Sequence, residues 1–301
     1  MNIIVLGGNG FIGSHIVDEL MLRGHRVSIL CRSRDKVNRL VAGAQYFYGD
    51  FSDSVFVAEA IKGMDVVIHS ISSTVPSTSV RNPAIDIHQN LIASVKLLES
   101  MRDLGIKRLI YLSSGGTVYG SPQHLPVNED HALNPISSYG VVKVAIEHYI
   151  GMFKTLYGLK PIILRPSNPY GARQANAGIQ GALGTFLGNT LAHKPITIWG
   201  DGEVSRGYIY VKDLAQLCAN AAESTLEGTF NVCSGKSTSL NQLLTLIETA
   251  TGIKPNVTYE AGRGFDVKNI FLDINRAQKT FNWTPLYSIE EGIAEYYKSL
   301  N

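Results

Sequence analysis

Several features are scarce in this chain of 301 residues, and each absence narrows the class of protein. No stretch approaches the roughly 18 consecutive apolar residues of a membrane-spanning helix, and the N-terminal apolar segment is too short for a signal peptide. The three cysteines form no Cys-x-x-Cys pair, and the eight histidines show no metal-ligand spacing. We therefore expect a cytoplasmic protein that has no membrane segment and binds no metal.

Charge is also sparse. Only 17% of the residues are charged and the net charge is +2, with no run of Lys or Arg, so the sequence predicts no nucleic-acid partner. Hydrophobic residues make up 45% of the chain, which is typical of a globular protein with a full core. The length suits one large domain or one domain with an added lobe.

The N-terminus combines an apolar segment, a glycine turn and the start of a helix. Residues 3–6 have the pattern of a buried parallel strand, and Gly7, Gly10 and Gly13 follow at once. That spacing lets the backbone turn sharply and approach a pyrophosphate, with the helix N-terminus facing the phosphates. Three glycines alone are weak support, but an apolar helical repeat that ends near Gly24 strengthens it. The segment predicts a dinucleotide-binding site.

Strands and helices alternate through the first half of the chain. We predict strands at 3–6, 26–30, 46–48, 65–69, 108–112 and 161–164, and long helices at 83–105 and 138–157. This alternation predicts an α/β fold with a doubly wound parallel sheet. We expect a dinucleotide-binding domain over 1–165, with 211–232 returning to its sheet. Segments 166–210 and 233–301, where the composition changes, are expected to form a smaller substrate lobe.

A Tyr-x-x-x-Lys pair, Tyr139 and Lys143, lies on the predicted helix 138–157. Residues four apart share one helix face, so an ammonium and a phenol can lie side by side. A nearby cation favours the phenolate, and such a tyrosine can exchange a proton with a sugar hydroxyl near neutral pH. The second such pair, Tyr208 and Lys212, lies in an extended pattern, where the two side chains would be about 13 Å apart.

Together these motifs resemble the extended short-chain dehydrogenase/reductase family. The likeness is to its nucleotide-sugar epimerase/dehydratase branch, which includes UDP-galactose 4-epimerase, and it covers nearly the whole chain. The segments that carry the resemblance, besides the glycine turn and the Tyr-Lys pair, are 112–120 (LSSGGTVYG), 164–171 (LRPSNPYG), 200–213, 262–267 and 281–285.

The resemblance implies a role for each matching residue. It implies that Tyr139 and Lys143 are catalytic, assisted by Thr117 or Ser114. The residues implied to contact the cofactor, besides Tyr139 and Lys143, are Gly7, Gly10, Phe11, Ile12, Gly13, Asp50, Phe51, Ser70, Ile71, Ser72, Asn90 and Ser113. We expect Arg32, Ser33 and Arg34 to contact the cofactor as well, although they depart from the family pattern. Those implied to hold the nucleotide diphosphate are Asn168, Arg206 and Arg263, and the forked arginine side chains suit phosphate.

The sequence departs from the family pattern at two places. Gly115 occupies the position of the catalytic Ser or Thr, and Ser114 and Thr117 are the nearby hydroxyls out of register. Strand two ends in Cys31-Arg32-Ser33-Arg34 rather than in the Asp that binds the adenosine ribose of NAD. Because arginine accommodates a 2′-phosphate, we expect NAD(P)(H) with a slight preference for NADP(H).

The expected activity is 4-epimerisation of a nucleotide-diphosphate sugar, with UDP-glucose or UDP-N-acetylglucosamine as typical substrates, by transient oxidation at C4. Two alternatives stay open: an NADPH-dependent reductase of a nucleotide-linked 4-keto sugar, and a catalytically impaired cofactor-binding protein. A 4,6-dehydratase is disfavoured because Gly116 and Thr117 stand where that activity needs an acid and a base. The apolar surface of helix 138–157 predicts a homodimer.

Overall fold

The computed structural model describes residues 1–32, 40–174, 181–262 and 268–300. The strands, in chain order, are β1 (Asn2–Leu6), β2 (Arg26–Cys31), β3 (Gln45–Tyr48), β4 (Val66–His69), β5 (Arg108–Leu112), β6 (Lys160–Pro166), β7 (Asn168–Tyr170), β8 (Ile196–Trp199), β9 (Ser205–Tyr210), β10 (Gly228–Val232), β11 (Ser237–Ser239), β12 (Val257–Glu260) and β13 (Asn269–Ile270). The α-helices are α1 (Phe11–Leu22), α2 (Ser54–Ile61), α3 (Pro76–Ser79), α4 (Pro83–Asp86), α5 (Ala93–Asp103), α6 (Ser138–Tyr157), α7 (Ala182–Leu191), α8 (Val211–Glu223), α9 (Leu240–Thr251), α10 (Asn275–Phe281) and α11 (Ile289–Lys298).

The central sheet has seven strands in the order β10-β6-β5-β4-β1-β2-β3. Every neighbouring pair in it is parallel. Helices cover both faces: α1 and α8 pack on one side, and α2, α5 and α6 pack on the other. The prediction of a doubly wound α/β fold is confirmed. The strand order reverses beside β1, so the loops after β1 and β4 meet at the carboxyl edge where such sheets bind ligands.

A second, smaller core lies beyond the sheet. Helices α7, α9 and α11 surround the short strands β7, β8 and β9 there. Strand β9 pairs with β7, β11 and β13. Not all of the C-terminal chain joins this core, because Ala277, Phe281 and Trp283 pack against the central sheet beside α8 and β10. Our division of the chain into domain and lobe therefore remains a proposal.

The helix expected over 83–105 is interrupted. Asn82 caps α4 by accepting a hydrogen bond from the N–H of Ile85 (3.2 Å). A π-helical turn, Ile87–Ile92, then separates α4 from α5. A π turn contains one more residue than an α turn and is common at functional sites. None of the described helices combines the length and apolar character needed to cross a bilayer.

Candidate active site

The glycine turn after β1 forms a close-packed cradle. Gly7 has φ = +85°, a left-handed backbone that favours glycine, and a Cβ on Gly13 would lie 2.2 Å from the Gly7 carbonyl oxygen. Helix α1 starts immediately after Gly10, with no side-chain cap and no acidic residue in its first turn. Its first N–H groups and positive dipole end suit an anion, so the turn fits the pyrophosphate of a dinucleotide.

The neighbouring strands bring other predicted cofactor residues to this edge. Ser70 donates its hydroxyl to the Leu6 carbonyl oxygen at 2.7 Å. Ile71 lies against Gly7, with Cγ1 3.0 Å from the position of a Cβ there. The ring of Phe51 is buried against His69 at a centroid distance of 4.9 Å, so this ring packs in the core beside β4. Phe11 and Ile12 open helix α1 beside the cradle and are partly buried.

At the end of β2, Arg32 points toward Asp50. The two side chains are 60% and 54% exposed, and Arg32 Nε lies 3.8 Å from Asp50 Oδ2. Hydrogen bonds from the backbone and hydroxyl of Ser52, together with Arg32, lower the pKa of Asp50. Asp50 is therefore ionised at neutral pH and partners Arg32 electrostatically. Ser33 and Arg34, which are also predicted to contact the cofactor at the end of β2, lie outside the described residues.

Tyr139 and Lys143 share one face of α6, as predicted. Lys143 Nζ lies 5.6 Å from the ring centre of Tyr139. The ammonium is buried and donates to the carbonyl oxygen of Leu112 at 2.7 Å. Burial lowers the pKa of Lys143 to about 8, although nearby carboxylates act in the opposite direction. In the second pair, Tyr208 lies in β9 and Lys212 in α8, so no single helix face joins those two residues.

The phenol of Tyr139 lies within hydrogen-bonding reach of the Ser114 and Ser72 hydroxyls. Burial raises the pKa of Tyr139 to about 12, and the two serines partly oppose this increase. The spacing of Tyr139 and Lys143 predicts that Lys143 lowers the pKa of Tyr139 below its usual value. The structure differs because desolvation of the phenol dominates, while the Lys143 ammonium is directed toward the Leu112 carbonyl.

Gly115 has a structural reason to lack a side chain. A Cβ at this position would lie 2.7 Å from the Arg165 carbonyl oxygen and 2.4 Å from Leu272 Cδ1. The Gly115 N–H also donates to the Pro166 carbonyl oxygen at 2.8 Å. The loop after β5 is thus pressed against β6, which leaves no room for a serine at this position.

The two replacement hydroxyls are placed differently. Ser114 is partly buried and reaches the Tyr139 phenol. Thr117 Oγ1 is buried and has no hydrogen-bond partner among the described residues. The hydroxyl of Ser113, predicted to contact the cofactor, instead donates to Glu147. Of these three side chains, that of Ser114 is the one beside Tyr139.

The predicted substrate residues lie on the small sheet that follows β6. Asn168 in β7 pairs in register with Tyr208 in β9, and its Nδ2 donates to the Gly207 carbonyl oxygen at 2.9 Å. Arg206 precedes Gly207 on β9 and donates to the Ser205 carbonyl oxygen at 2.9 Å. The structure therefore brings Asn168 and Arg206 together. Arg263 lies outside the described residues.

Two buried carboxylates near Tyr139 were not predicted from the sequence. Glu147 continues the face of Tyr139 and Lys143 at the same four-residue spacing, and it forms a buried ion pair with Arg165 (2.5 Å). Asp86 is fully buried beside the predicted cofactor residue Asn90, whose Nδ2 donates to it at 2.8 Å. A polar residue repeating every four positions on a helix signals Glu147, but no pattern in the sequence signals Asp86.

The sequence model of the NAD dependent epimerase/dehydratase family matches residues 3–233 of this chain. The chain belongs to this family. The match runs from β1 through β10, so it includes the glycine cradle, the Tyr139–Lys143 pair and the substrate residues Asn168 and Arg206.

Individual members of the NAD dependent epimerase/dehydratase family resemble the chain over its full length. A putative UDP-glucose 4-epimerase of Methanocaldococcus jannaschii is 37% identical over 97% of this chain and 95% of its own. A dTDP-4-dehydro-6-deoxyglucose reductase of Escherichia coli is 33% identical over 99% and 97%. The crystal structure of Thermotoga maritima UDP-glucose 4-epimerase with UDP-glucose superposes with a TM-score of 0.93 at 34% identity, covering 100% and 98% of the two chains.

Proposed function

We propose that this protein is an NAD-dependent 4-epimerase of nucleotide-diphosphate sugars, with UDP-sugars as its substrates. The observation that carries the proposal is the Tyr139–Lys143 pair on one face of α6, with Lys143 Nζ 5.6 Å from the Tyr139 ring centre, on the helix that begins at the carboxyl edge of the sheet. Relatives named as UDP-glucose 4-epimerases, one of them crystallised with UDP-glucose, support the choice of reaction and of nucleotide. The glycine cradle and the Tyr139–Lys143 pair would hold NAD, which would supply a reversible hydride acceptor for C4 of the sugar.

Each catalytic side chain has a separate task in this scheme. Tyr139 takes the proton of the sugar 4-hydroxyl during oxidation and returns it to the same oxygen during reduction, so no proton is consumed. Ser114 donates a hydrogen bond that favours the phenolate and orients the 4-oxygen. Lys143, whose ammonium also donates to the Leu112 carbonyl oxygen, would hold the nicotinamide ribose. Asn168, Arg206 and Arg263 hold the diphosphate, so the sugar alone rotates between the two half-reactions.

The test is to incubate the purified protein with UDP-glucose, UDP-galactose and their N-acetylated forms, and to follow the sugars by NMR. Interconversion without a net change in absorbance at 340 nm is the expected result. The matched control is Tyr139→Phe, which keeps the ring and removes the hydroxyl. If none of the UDP-sugars is converted, the proposal is contradicted.

The second candidate is a reductase of a nucleotide-linked 4-keto sugar, favoured by the similarity to the Escherichia coli reductase. It predicts oxidation of NADPH when a 4-keto nucleotide sugar is added, and no interconversion of UDP-sugars. If neither reaction occurs while a cofactor still binds, the third possibility, a cofactor-binding protein without catalysis, becomes the interpretation. The same purified sample distinguishes all three.

For the cofactor, we propose NAD rather than the NADP(H) that Arg32 and Arg34 favoured. Asp50 lies 3.8 Å from Arg32 and stays ionised, so the Arg32 guanidinium already has a carboxylate partner and is less available to a 2′-phosphate. The family description, NAD dependent, agrees with this choice. Binding titrations with both cofactors test it. If NADP binds more tightly than NAD, and if Arg32→Ala weakens the binding of NADP, the protein prefers NADP(H) and the proposal of NAD is wrong.

We also propose a homodimer formed through α6 and the π-interrupted helix. On α6, the large apolar side chains of Val141, Tyr149, Met152 and Leu156 are between 39% and 61% exposed. Ile85, Ile87 and Ile92 are similarly exposed on the neighbouring segment, and an exposed apolar patch of this kind is typical of an interface. Light scattering at micromolar concentration should give twice the chain mass of 32.8 kDa. A value near 33 kDa would contradict the dimer.

The cysteines support a reducing compartment, and we propose the cytoplasm. Cys31, Cys218 and Cys233 are buried and unpaired. Free buried thiols are typical of proteins that do not pass through an oxidising compartment.

A further inference from the structure

Asp86 is a buried carboxylate whose three hydrogen-bond donors are all uncharged. Thr74 Oγ1 and Asn90 Nδ2 donate to its Oδ1 at 2.7 and 2.8 Å. Ser138 Oγ donates to its Oδ2 at 2.9 Å. The side chain has no exposed surface. Among the described residues, no Lys or Arg side chain forms a close ion pair with Asp86. A buried charge that lacks such a pair is costly to keep, so its presence needs a reason beyond packing.

The three donors come from three separate segments that meet at the Asp86 carboxylate. Thr74 lies in the loop after β4, Asn90 lies in the π turn, and Ser138 is the first residue of α6, directly before Tyr139. The same loop is tied down again by its backbone, because Ser73 N donates to Asn90 Oδ1 at 2.9 Å. Asp86 therefore joins the segment that follows β4 to the helix that carries Tyr139.

This junction bears directly on the Ser72 hydroxyl. Ser72 Oγ donates to the Thr74 carbonyl oxygen at 2.9 Å and also reaches the Tyr139 phenol. The backbone N–H of Tyr139 donates to Ser79 Oγ at 3.1 Å, which fixes the other side of the same turn. Movement of Thr74 would therefore displace the Ser72 side chain relative to the Tyr139 phenol.

The charge of Asp86 also acts on the reacting groups. It raises the pKa of Tyr139 and that of Lys143. The other titratable groups that interact with this pair are Glu147 on α6, Tyr111 on β5 and His69 on β4. His69 is neutral, since burial lowers its pKa to about 3, and Tyr111 is uncharged because burial raises its pKa well above its usual value.

We propose that Asp86 is a positioning residue for the proposed reaction: it holds the Ser72 hydroxyl against Tyr139 and keeps a fixed negative charge beside the Tyr139–Lys143 pair. The role rests on the proposed function in so far as Tyr139 is the proton-exchanging group. Asp86 has no exposed surface with which to contact a substrate or cofactor, and acts through Thr74, Asn90 and Ser138.

Two variants separate the effect of the Asp86 charge from the effect of its hydrogen bonds to Thr74, Asn90 and Ser138. In Asp86→Asn, the amide oxygen can accept from Thr74 and Asn90, while its NH₂ donates to the Ser138 hydroxyl, which can also accept. This variant removes the charge and keeps the junction. Thr74→Val has the same shape without the hydroxyl, so it weakens the junction and keeps the charge. Asp103→Asn is the matched control, because Asp103 is an exposed carboxylate at the end of α5.

The first measurement is the pH dependence of kcat for the epimerisation. Loss of the Asp86 charge lowers the pKa of both Tyr139 and Lys143, so the whole profile of Asp86→Asn should move to lower pH, by on the order of one unit or less. Thr74→Val should lower kcat about 10-fold without moving the profile. Asp103→Asn should change neither. An unmoved profile in a folded Asp86→Asn protein, or full activity of Thr74→Val, would overturn the proposal.

The second measurement needs no activity. The ultraviolet titration of tyrosine, taken as the difference between the wild-type chain and Tyr139→Phe, isolates the Tyr139 phenol. The difference titration in the Asp86→Asn background should have its midpoint at lower pH than in the wild-type background. An unchanged midpoint overturns the role of the Asp86 charge. A lowered midpoint in a protein without epimerase activity would uphold that role and reject the proposed function instead.

Discussion

The ammonium of Lys143 donates a 2.7 Å hydrogen bond to the carbonyl oxygen of Leu112, the last residue of β5. This bond fixes the N-terminal part of α6 to the carboxyl edge of the sheet. The helix therefore presents Tyr139 at the edge where the glycine cradle also opens. Lys143, which the resemblance to relatives implies binds the cofactor, therefore also holds α6 in position on the sheet.

Replacement of Lys143 by Met should stabilise the protein at neutral pH and abolish activity. The pKa of Lys143 is about 8 in the folded chain against 10.5 in the unfolded one, so folding below pH 8 carries the full cost of burying the charge. That cost falls as the pH rises from 8 to 10.5, because the folded lysine loses its proton first. Lys143→Met should gain about 1–3 kcal/mol at pH 7.

Urea unfolding at pH 7 and at pH 9.5 measures this effect. The free energy of unfolding of Lys143→Met should exceed that of the wild-type chain more at pH 7 than at pH 9.5. Lys96→Met, at an exposed lysine on the neighbouring helix α5, is the control and should show no such pH dependence. A destabilised Lys143→Met protein at pH 7 would mean that the Leu112 bond outweighs the cost of burial.

Tyr139→Phe should lose about 10²–10⁴-fold in kcat, the usual effect of removing one general acid or base. Cofactor affinity should change little, because the ring and Lys143 stay in place. Burial raises the pKa of Tyr139 to about 12, so activity of the wild-type protein should increase with pH through the neutral range as the phenolate becomes accessible. Single-turnover rates and cofactor titrations check both statements. Retained turnover in the Phe variant would remove Tyr139 from the mechanism.

Ser114→Ala should lower kcat about 10- to 100-fold, since the Ser114 hydroxyl reaches the phenol. Thr117→Val serves as the comparison, because its buried hydroxyl has no partner among the described side chains. We expect the Val variant to retain most of its activity. Kinetics of the two variants, side by side, decide which hydroxyl compensates for Gly115. The opposite order of effects would assign the task to Thr117.

Gly115→Ala should destabilise the fold by about 1–3 kcal/mol. The added Cβ would lie 2.7 Å from the Arg165 carbonyl oxygen, a backbone atom that cannot rotate away as a side chain can. Gly151→Ala is the matched control, since a Cβ there meets no atom within 4 Å. That position is an exposed site inside α6, so alanine should be neutral or slightly stabilising. Denaturant midpoints measure the difference. Equal stability of the two variants would show that the loop after β5 relaxes freely.

The sequence predicted those parts of the site that follow from local pattern. A strand, a glycine turn and a helix specify the cradle through short-range geometry, and the four-residue spacing of Tyr139 and Lys143 specifies a shared helix face. The doubly wound sheet follows from alternation of strands and helices. Each of these depends on residues that are close together along the chain.

The remaining features depend on contacts between distant segments. The shortage of space at Gly115 arises from Arg165 and Leu272, which approach from β6 and from the chain before α10. The raised pKa of Tyr139 is a consequence of burial, which the spacing of a Tyr and a Lys cannot reveal. Asp86 lies directly before the π turn, an irregularity that the pattern does not signal, since it predicted a regular helix over 83–105.

That irregularity has a consequence for how this segment tolerates change in length. The π turn Ile87–Ile92 holds one residue more than an α-helix would. Deleting one exposed residue from it, such as Gln89, would give a smooth helix whose part before the deletion is rotated by roughly 100° about the axis. Helix α5 would stay packed on the sheet through Leu97, Leu98 and Met101, while the Asp86 side chain would rotate away from Ser138. Shortening by a single residue would thus regularise the helix and dismantle the active site.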